Sequence, residues 1–144
     1  MMHAPTLLAL TLLQAGVASL PVDLAKRFIN DFQTERVESM SDYLAPDAIM
    51  TMPFTPDGPV MLRGRGQTEA YLRSVCDRYR IIRILKPVYT PAADGRTVFV
   101  EARGLFEAND GKRHEVGYVW AITVVGGRIK SSRSYTVPIT RPAS

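Results

Sequence analysis

The stretch of sequence that decides the fold covers residues 96–137 and reads RTVFVEARGLFEANDGKRHEVGYVWAITVVGGRIKSSRSYTV. Three turn-forming pairs recur at a constant interval of 16 residues: Asp94-Gly95, Asp110-Gly111 and Gly126-Gly127. The runs between them are rich in β-branched and aromatic residues, which predicts an antiparallel meander. These runs exceed the usual strand length of about 5 to 6 residues, so we expect curved strands that bend at Gly104 and Gly117.

The loop around Asp110-Gly111 decides which side chains of this meander face the core. A two-residue loop would put Glu107 on the same face as Trp120. A three-residue loop, 109–111, places Glu107 opposite Arg113 on the outer face and gathers a nearly continuous apolar inner face. That inner face consists of Val98, Val100, Ala102, Gly104 and Phe106 beside His114, Val116, Tyr118, Trp120, Ile122 and Val124. Because a slip of one residue inverts every side chain, the hydrophobic pattern favours the three-residue loop.

The composition is typical of one globular domain. A chain of 144 residues is long enough for a core and a ligand cavity, but not for two independent domains. The formal net charge of +4 arises from basic residues that are scattered among acidic ones, so we expect no nucleic-acid partner. The single cysteine, Cys76, excludes an internal disulfide and a multi-cysteine metal site. The sequence predicts neither a cofactor nor a metal ion.

Residues 1–20 are nearly uncharged and largely apolar, and two interpretations of them remain open. A short apolar core followed by small residues resembles a signal peptide that is cleaved after Ala18, which would place the protein in the periplasm or outside the cell. The lack of Lys or Arg before the apolar core favours the alternative, an extra N-terminal helix on a cytoplasmic protein. Under either interpretation the segment is too short to span a membrane.

The remainder of the first half predicts helices and short strands. Helical periodicity begins at Pro21 and places Leu24, Ala25, Phe28 and Phe32 on one stripe. The predicted elements that follow are a helix 37–44, strands 48–52 and 60–63, a helix 67–79 and a strand 80–89. Pro87 within the last of these indicates an edge or a bulge. Together with the meander, this order predicts an α+β fold, in which a cone-shaped, curved antiparallel or mixed sheet wraps around three helices as a cystatin-like α+β roll.

Several short motifs in this order carry a family resemblance. They are LAPDAI at 44–49, MP at 52–53, RG at 63–64, GRIK at 127–130 and RSY at 133–135. Together they resemble the SnoaL-like branch of the nuclear transport factor 2-like superfamily over residues 21–138, with 139–144 as an irregular tail. Residues 57–64 and the strand 98–104 look closest to the PhzA/PhzB type. The resemblance implies a small hydrophobic or aromatic ligand in an internal pocket, and a homodimer through the sheet.

The sequence departs from the acid-base residues that this resemblance implies. Several enzymes of the superfamily carry a carboxylate on the last strand, between an arginine and an aromatic residue, where this chain has Ser134. The epoxide-hydrolase type needs an arginine and an aspartate at the positions of Ala102 and Gly104. The PhzA/PhzB type has a histidine at the position that matches Tyr71. None of these sets is reproduced, and no carboxylate falls on a predicted inward strand position.

The last strand can adopt either of two registers. A three-residue loop, 125–127, turns Ser134 inward, whereas a two-residue Gly-Gly loop turns Ile129, Arg133 and Tyr135 inward. Hydrophobicity favours the two-residue loop, and the family resemblance favours the three-residue loop. We follow the resemblance, because it leaves Ile129 and Tyr135 available for a dimer surface.

Five residues are predicted to line the ligand pocket: Tyr71, His114, Tyr118, Trp120 and Ser134. His114 is the one candidate for catalysis, because a histidine can exchange protons near neutral pH, although a solvent-exposed rim histidine is the simpler interpretation. Tyr118 and Trp120 can stack on a flat ligand or serve only as core aromatics. Ser134 lacks an adjacent base and is therefore not an activated nucleophile.

Three functions are compatible with these residues. The first is a small-molecule-binding protein without acid-base catalysis. The second is an isomerase, dehydratase or cyclase that uses His114 as a proton shuttle, with the hydroxyls of Tyr71, Tyr118 or Ser134 placing a substrate oxygen. The third is a homodimeric interaction module whose core is filled and has no pocket. The absence of the usual carboxylate favours the first.

Overall fold

The structure is a computed structural model that describes residues 20–55 and 57–139. Its elements are helix α1 over residues 20–33, a 3-10 helix Val37–Asp42, β1 Leu44–Met52, β2 Val60–Arg63, α2 Arg65–Arg78, β3 Tyr79–Pro91, β4 Thr97–Ala108, β5 Arg113–Val125 and β6 Arg128–Pro138. The predictions for residues 1–19 and for the tail beyond Ile139 lie outside the described residues.

The six strands form one mixed sheet in the order β2-β1-β6-β5-β4-β3. The predicted antiparallel meander is confirmed over β3 to β6, and β1 joins β6 in parallel. The helices contribute their apolar stripes to a core with the inner face of this sheet, so the predicted α+β cone is confirmed. Among the described helices, none is long and apolar enough to cross a membrane.

The β4–β5 hairpin has the register that the hydrophobic pattern predicts. Phe106 pairs with His114 and Glu107 pairs with Arg113. The amide of Ala108 donates to the carbonyl of Lys112 at 2.8 Å, and Gly111 closes the three-residue loop with a φ of 88°. The even-numbered residues of both strands therefore face the helices, and Val98, Val100 and Ile122 are fully buried there.

The predicted three-residue loop between β5 and β6 is wrong. Val125 pairs with Arg128 across a two-residue turn, in which Gly126 and Gly127 have φ values of 60° and 75°. This is the turn type that matches the twist of an antiparallel hairpin. The register then shifts between Thr123 and Val124, so that Lys130 forms a bulge on β6.

Because of the bulge, Ile129 and Ser134 both face inward, although the sequence allowed only one of them to do so in either regular register. Before the bulge, Ile129 pairs with Val124 and is buried. After it, Ser134 pairs with Trp120 and is also buried. Because Lys130 is an extra residue, the alternation of side chains on β6 shifts by one, and Ser134 faces inward as Ile129 does. The inward prediction for Ser134 therefore agrees with the structure, whereas the loop that was meant to cause it is absent.

Three predicted boundaries also differ from the structure. The helix predicted at 37–44 is a 3-10 helix that ends at Asp42, and β1 begins at Leu44 rather than at residue 48. Pro46 is tolerated in β1 because the pairing with β6 is interrupted between Leu44 and Ile49, so its missing N–H costs no ladder bond. The helix predicted at 67–79 runs from Arg65 to Arg78.

The edge strand β3 is bulged at the predicted proline. It is longer than the predicted 80–89, and its pairing with β4 shifts between Leu85 and Val88. Lys86, the residue before Pro87, has a φ of 50°. Helix α1 reaches this edge through the side-chain oxygen of Gln33, which accepts a hydrogen bond from the amide of Ile84 at 3.0 Å. The prediction of a bulge or edge at Pro87 is thus confirmed.

A buried hydrogen bond that the sequence did not predict ties α1 to the start of β1. The Tyr43 hydroxyl donates to the Asp31 carboxylate at 2.7 Å, and both residues are buried. The guanidinium of Arg27 lies 4.6 Å from the centre of the Tyr43 ring and pairs with Asp42 at 3.1 Å. Burial first, and then the hydrogen bond to Asp31, raise the pKa of the Tyr43 phenol. The neutral phenol is therefore a permanent donor that satisfies the buried carboxylate.

The Gly-Gly turn gives a direct test of the β5–β6 register. Replacing Gly126 by Val forces a β-branched residue into a left-handed conformation, which we expect to lower the free energy of unfolding by about 1–2 kcal/mol. Gly126→Asn is the matched control, because asparagine tolerates positive φ and is expected to cost much less. Urea denaturation of both variants measures the difference. Equal costs for Val and Asn would contradict the two-residue turn.

Candidate functional site

Four rings form a continuous aromatic cluster on the inner face of the sheet, namely Tyr79, Phe106, Tyr118 and Trp120. The rings of Tyr118 and Trp120 are stacked, with their centres 4.3 Å apart and their planes within 11° of parallel. Phe106 lies 6.0 Å from Tyr118 and 5.0 Å from Tyr79. These separations are typical of favourable aromatic pairs.

The cluster runs from the rim of the sheet into the core. His114 is exposed at the rim, where its ring lies nearly perpendicular to that of Tyr79, with the ring centres 6.5 Å apart. Tyr79 and Tyr118 are partly buried, and Trp120 at the inner end is only 5% exposed. Tyr118 is therefore the innermost ring of the cluster that combines a hydroxyl group with partial access to solvent.

The electrostatics of the site are those of neutral phenols. Burial is the main cause that raises the pKa of the Tyr118 phenol, and the neighbouring phenols of Tyr79 and Tyr71 raise it further. At neutral pH Tyr118 is consequently an uncharged hydrogen-bond donor. The rings of Tyr79 and Tyr118 both pack on Phe106, and Tyr71 packs against the same core.

No carboxylate occupies an inward position on β3 to β6. Glu101 pairs with Val119 on the outer face and is exposed. Glu107 is buried, but on the outer face, where Arg80 binds it at 2.7 Å and Arg113 approaches to 4.0 Å. The expectation that the inner strand positions lack an ionised acid therefore agrees with the structure.

The structure brings most of the predicted pocket residues together. Tyr118 and Trp120 form the stack, Tyr71 on α2 packs against the core beside them, and Ser134 pairs with Trp120 on the next strand. His114 stands apart at the exposed rim, where it contacts Tyr79 rather than Tyr118 or Ser134. The rim interpretation of His114 therefore fits its position.

Sequence reasoning missed Tyr79 as a site residue. It was placed at the end of a helix, whereas it is the first residue of β3 and packs on Phe106. The signal that could have revealed it is its pairing register. Tyr79 lies opposite Ala108, an inward position of β4, and a bulge before Ile81 separates it from the rest of the strand.

A small cavity lies elsewhere in the fold, between α2, β1 and β6. Its volume is about 10 Å³, which is at the lower limit for one water molecule. It is lined by Leu44, Ala48, Ile49, Met50, Thr68, Ile129, Ser131 and Ser132. None of these residues belongs to the aromatic cluster, so this cavity is not the predicted pocket.

The chemistry available at the cluster is limited to flat apolar faces and hydroxyl groups. Within residues 20–55 and 57–139, no three side chains of His, Cys, Asp or Glu are grouped so that they could hold a metal ion. Cys76 is partly buried, and burial raises the pKa of its thiol, so it is a weak nucleophile at neutral pH. The site is suited to stacking and hydrogen-bond donation.

The sequence pattern of the SnoaL-like domain matches residues 25–132. The chain belongs to the SnoaL-like domain family. Comparison with the curated proteins gave no match.

Solved structures share the fold of this SnoaL-like protein at low sequence identity. A candidate isomerase from Bacillus subtilis is 18% identical with a TM-score of 0.74, covering 83% of this chain and 87% of its own. A phenazine biosynthesis-related protein from Pseudomonas aeruginosa is 12% identical with a TM-score of 0.74, covering 85% and 78%. A nuclear transport factor 2-like protein from Burkholderia xenovorans is 20% identical with a TM-score of 0.70, covering 83% and 90%. At these identities the likeness establishes the fold alone.

The raised pKa of Tyr118 can be measured directly. In an ultraviolet titration of the folded protein, part of the absorbance change of the six tyrosines is expected to appear well above pH 10, the usual pKa being about 10. Because the pKa of Tyr118 is higher in the folded than in the unfolded chain, the neutral phenol adds to the free energy of unfolding. This contribution is fully present below about pH 10 and is lost as the pH rises through the pKa of the folded state.

Two variants assign the late-ionising groups. Tyr118→Phe should remove part of the absorbance change that occurs well above pH 10, the usual pKa of tyrosine being about 10, and Tyr43→Phe should remove another part. In denaturant, all tyrosines of the unfolded chain should ionise together near pH 10. If the folded protein also ionises in a single step near pH 10, Tyr118 is not the desolvated phenol described above.

Proposed function

We propose that the protein binds a small, neutral, flat ligand that carries an acceptor oxygen, at the outer edge of the aromatic cluster. The stacked pair of Tyr118 and Trp120, with the phenols of Tyr79 and Tyr71 beside it, is the observation that carries this proposal. Aromatic faces recognise flat apolar molecules, and neutral phenols donate hydrogen bonds to carbonyl or phenolic oxygens. Such a site takes a hydrophobic or aromatic compound.

The lack of charge in the cluster supports a neutral ligand over an anion. Arg80 and Arg113 at the nearby hairpin end face outward and contact Glu107, so they do not supply a cation to the inner face. A ligand carboxylate would therefore have to give up its hydration without a cationic partner, which is costly. The desolvation of a ketone, quinone or phenol costs much less free energy, because these groups are uncharged.

A matched pair of ligands tests the proposal, namely 1-tetralone and tetralin. They share one bicyclic skeleton and differ in the carbonyl oxygen. Because a net hydrogen bond contributes about 0.5–1.5 kcal/mol, 1-tetralone should bind about two- to tenfold more tightly than tetralin. Calorimetry measures the binding of both compounds, and the fluorescence of Trp120, the single tryptophan of the chain, follows the change at the ring of Tyr118 stacked on it.

The controls follow from the geometry. Tyr118→Phe and Tyr71→Phe should reduce the preference for 1-tetralone, because each removes a donor hydroxyl, whereas His114→Ala at the exposed rim should leave it unchanged. The binding proposal fails if neither compound gives a saturable change, or if the tyrosine variants keep the full preference. A mass spectrum of the small molecules that co-purify with the native protein would then identify the natural ligand class.

An isomerase, dehydratase or cyclase is the second candidate function. The observation that favours it is the phenol group beside His114, because an enolate formed at the cluster could be stabilised by neutral phenol donors. His114 would take a proton from the carbon next to the ligand carbonyl, and the electron pair would move onto the carbonyl oxygen. Return of a proton to the carbon regenerates the neutral imidazole. The fold of a candidate isomerase with a TM-score of 0.74 is compatible with this chemistry.

Exchange of the α-protons of 1-tetralone in heavy water separates the two functions. An enzyme should accelerate the exchange, followed by NMR, and His114→Ala should slow it by about 100-fold or more. A simple binding protein should leave the exchange at the rate of the buffer. A rate that equals the buffer rate while 1-tetralone binds rejects the catalytic candidate and retains the binding one.

We also propose that two copies pair through the outer face of β3 to β6. Six exposed apolar side chains are spread over this face, namely Leu85, Val88, Phe99, Val119, Val125 and Val137. Four strands of this length cover about 19 by 40 Å, or roughly 760 Å², close to the 800 Å² that each partner of a standard interface buries. Glu101 lies on the same face as Arg103 and Arg133, so a two-fold arrangement can match opposite charges.

Sedimentation velocity tests the pairing. Val119→Lys places a charge at the centre of the face and should shift the protein to the monomer. Met61→Lys, which adds the same charge at an exposed position of β2 outside this face, should leave the dimer intact. A monomeric wild-type protein would contradict the pairing. A dimer that binds neither 1-tetralone nor tetralin would instead support the third function, an interaction module without a pocket.

A further inference from the structure

Gly104 lies in the middle of β4, directly beneath the ring of Tyr118. A Cβ atom at this position would lie 2.4 Å from Cε2 of Tyr118, 2.8 Å from Cε2 of Phe106 and 2.9 Å from Cγ2 of Val116. Gly104 is not among the glycines with positive φ, so its backbone suits any residue. The glycine therefore serves close contact with a ring and not an unusual backbone conformation.

The Tyr118 ring fills a recess whose floor is Gly104. Tyr118 pairs with Ala102, two residues before Gly104, and its ring extends along the inner face over the glycine. On its other side the ring stacks on Trp120, which is only 5% exposed. Both sides of the recess are thus aromatic, and its floor has no side chain.

We propose that Gly104 and Tyr118 together determine how deeply a ligand enters the aromatic cluster. In the native protein the Tyr118 ring occupies the recess, so a ligand contacts the phenol at the outer edge and does not reach Trp120. Without that ring, the recess above Gly104 admits one aromatic ring against Trp120. Tyr118 is then the residue that limits ligand size, and Gly104 is the positioning residue that acts through it. This inference rests on the proposed ligand site.

The test adds p-cresol, the side chain of tyrosine as a free molecule, to a protein that lacks that side chain. Tyr118→Ala should bind p-cresol at least about tenfold more tightly than the wild type, as engineered apolar cavities bind small aromatic molecules. Calorimetry and Trp120 fluorescence both report the binding. In the double variant Gly104→Ala/Tyr118→Ala the new methyl group occupies the floor of the recess, so most of this gain should be lost.

Gly117 supplies the matched control. It lies on β5 next to Arg103, and a Cβ atom there would meet only the carbonyl oxygen of Val137, at 3.9 Å. The double variant Gly117→Ala/Tyr118→Ala should therefore bind p-cresol as Tyr118→Ala does. Equal binding by the two double variants, or no gain in Tyr118→Ala, overturns the inference.

A second measurement keeps the inference falsifiable if Tyr118→Ala does not fold. The stacked Tyr118–Trp120 pair should give a distinct near-ultraviolet circular dichroism signal in the protein without ligand. Gly104→Ala should reduce this signal by about half or more, because the methyl group displaces the Tyr118 ring, whereas Gly117→Ala should preserve it. An unchanged spectrum in Gly104→Ala overturns the positioning role. Failure of 1-tetralone to bind the wild type would overturn the proposed function but would leave both of these outcomes interpretable.

Discussion

The pairing of β4 with β5 is the constraint on which the rest of the structure depends. A three-residue loop closed by Gly111 aligns Phe106 with His114, and this alignment sends the rings of Phe106, Tyr118 and Trp120 inward. The same alignment keeps Glu101 and Glu107 on the outer face. Since side chains alternate along a strand, a shift of one residue in this pairing would place Glu101 and Glu107 on the same face as Trp120. The chemical character of the interior is thus fixed by the length of one loop.

The inward positions of β3 to β6 carry no acidic side chain, and this has a clear chemical consequence. On the helical side, the buried carboxylate of Asp31 is bound by the Tyr43 hydroxyl and stabilises the junction between α1 and β1. The phenol of Tyr118 is influenced by other phenols and by burial. Recognition at the cluster can therefore rely on stacking and hydrogen-bond donation, whereas proton transfer would depend on a histidine at the exposed rim. For this reason, binding is the first proposed function and catalysis the second.

The long strands, the β4–β5 register and the α+β cone could be predicted because each follows from a repeated pattern in the sequence. The β5–β6 pairing could not, because the sequence offered two regular registers and the protein uses a two-residue turn followed by a bulge at Lys130. Periodicity cannot locate a single extra residue. Tyr79 was assigned to the wrong element since its spacing fits both a helix and the strand that follows. The bond from Tyr43 to Asp31 joins residues in two elements, and no local pattern signals it.

The measurement that tests this account most directly is the set of cross-strand nuclear Overhauser effects between the backbones of β4 and β5 in isotope-labelled protein. The account predicts contacts that join Val100 with Trp120 and Ala102 with Tyr118. Contacts that join Glu101 with Trp120 and Arg103 with Tyr118 would place charged side chains in the interior, and they would contradict the register, the neutral site and the function proposed for it.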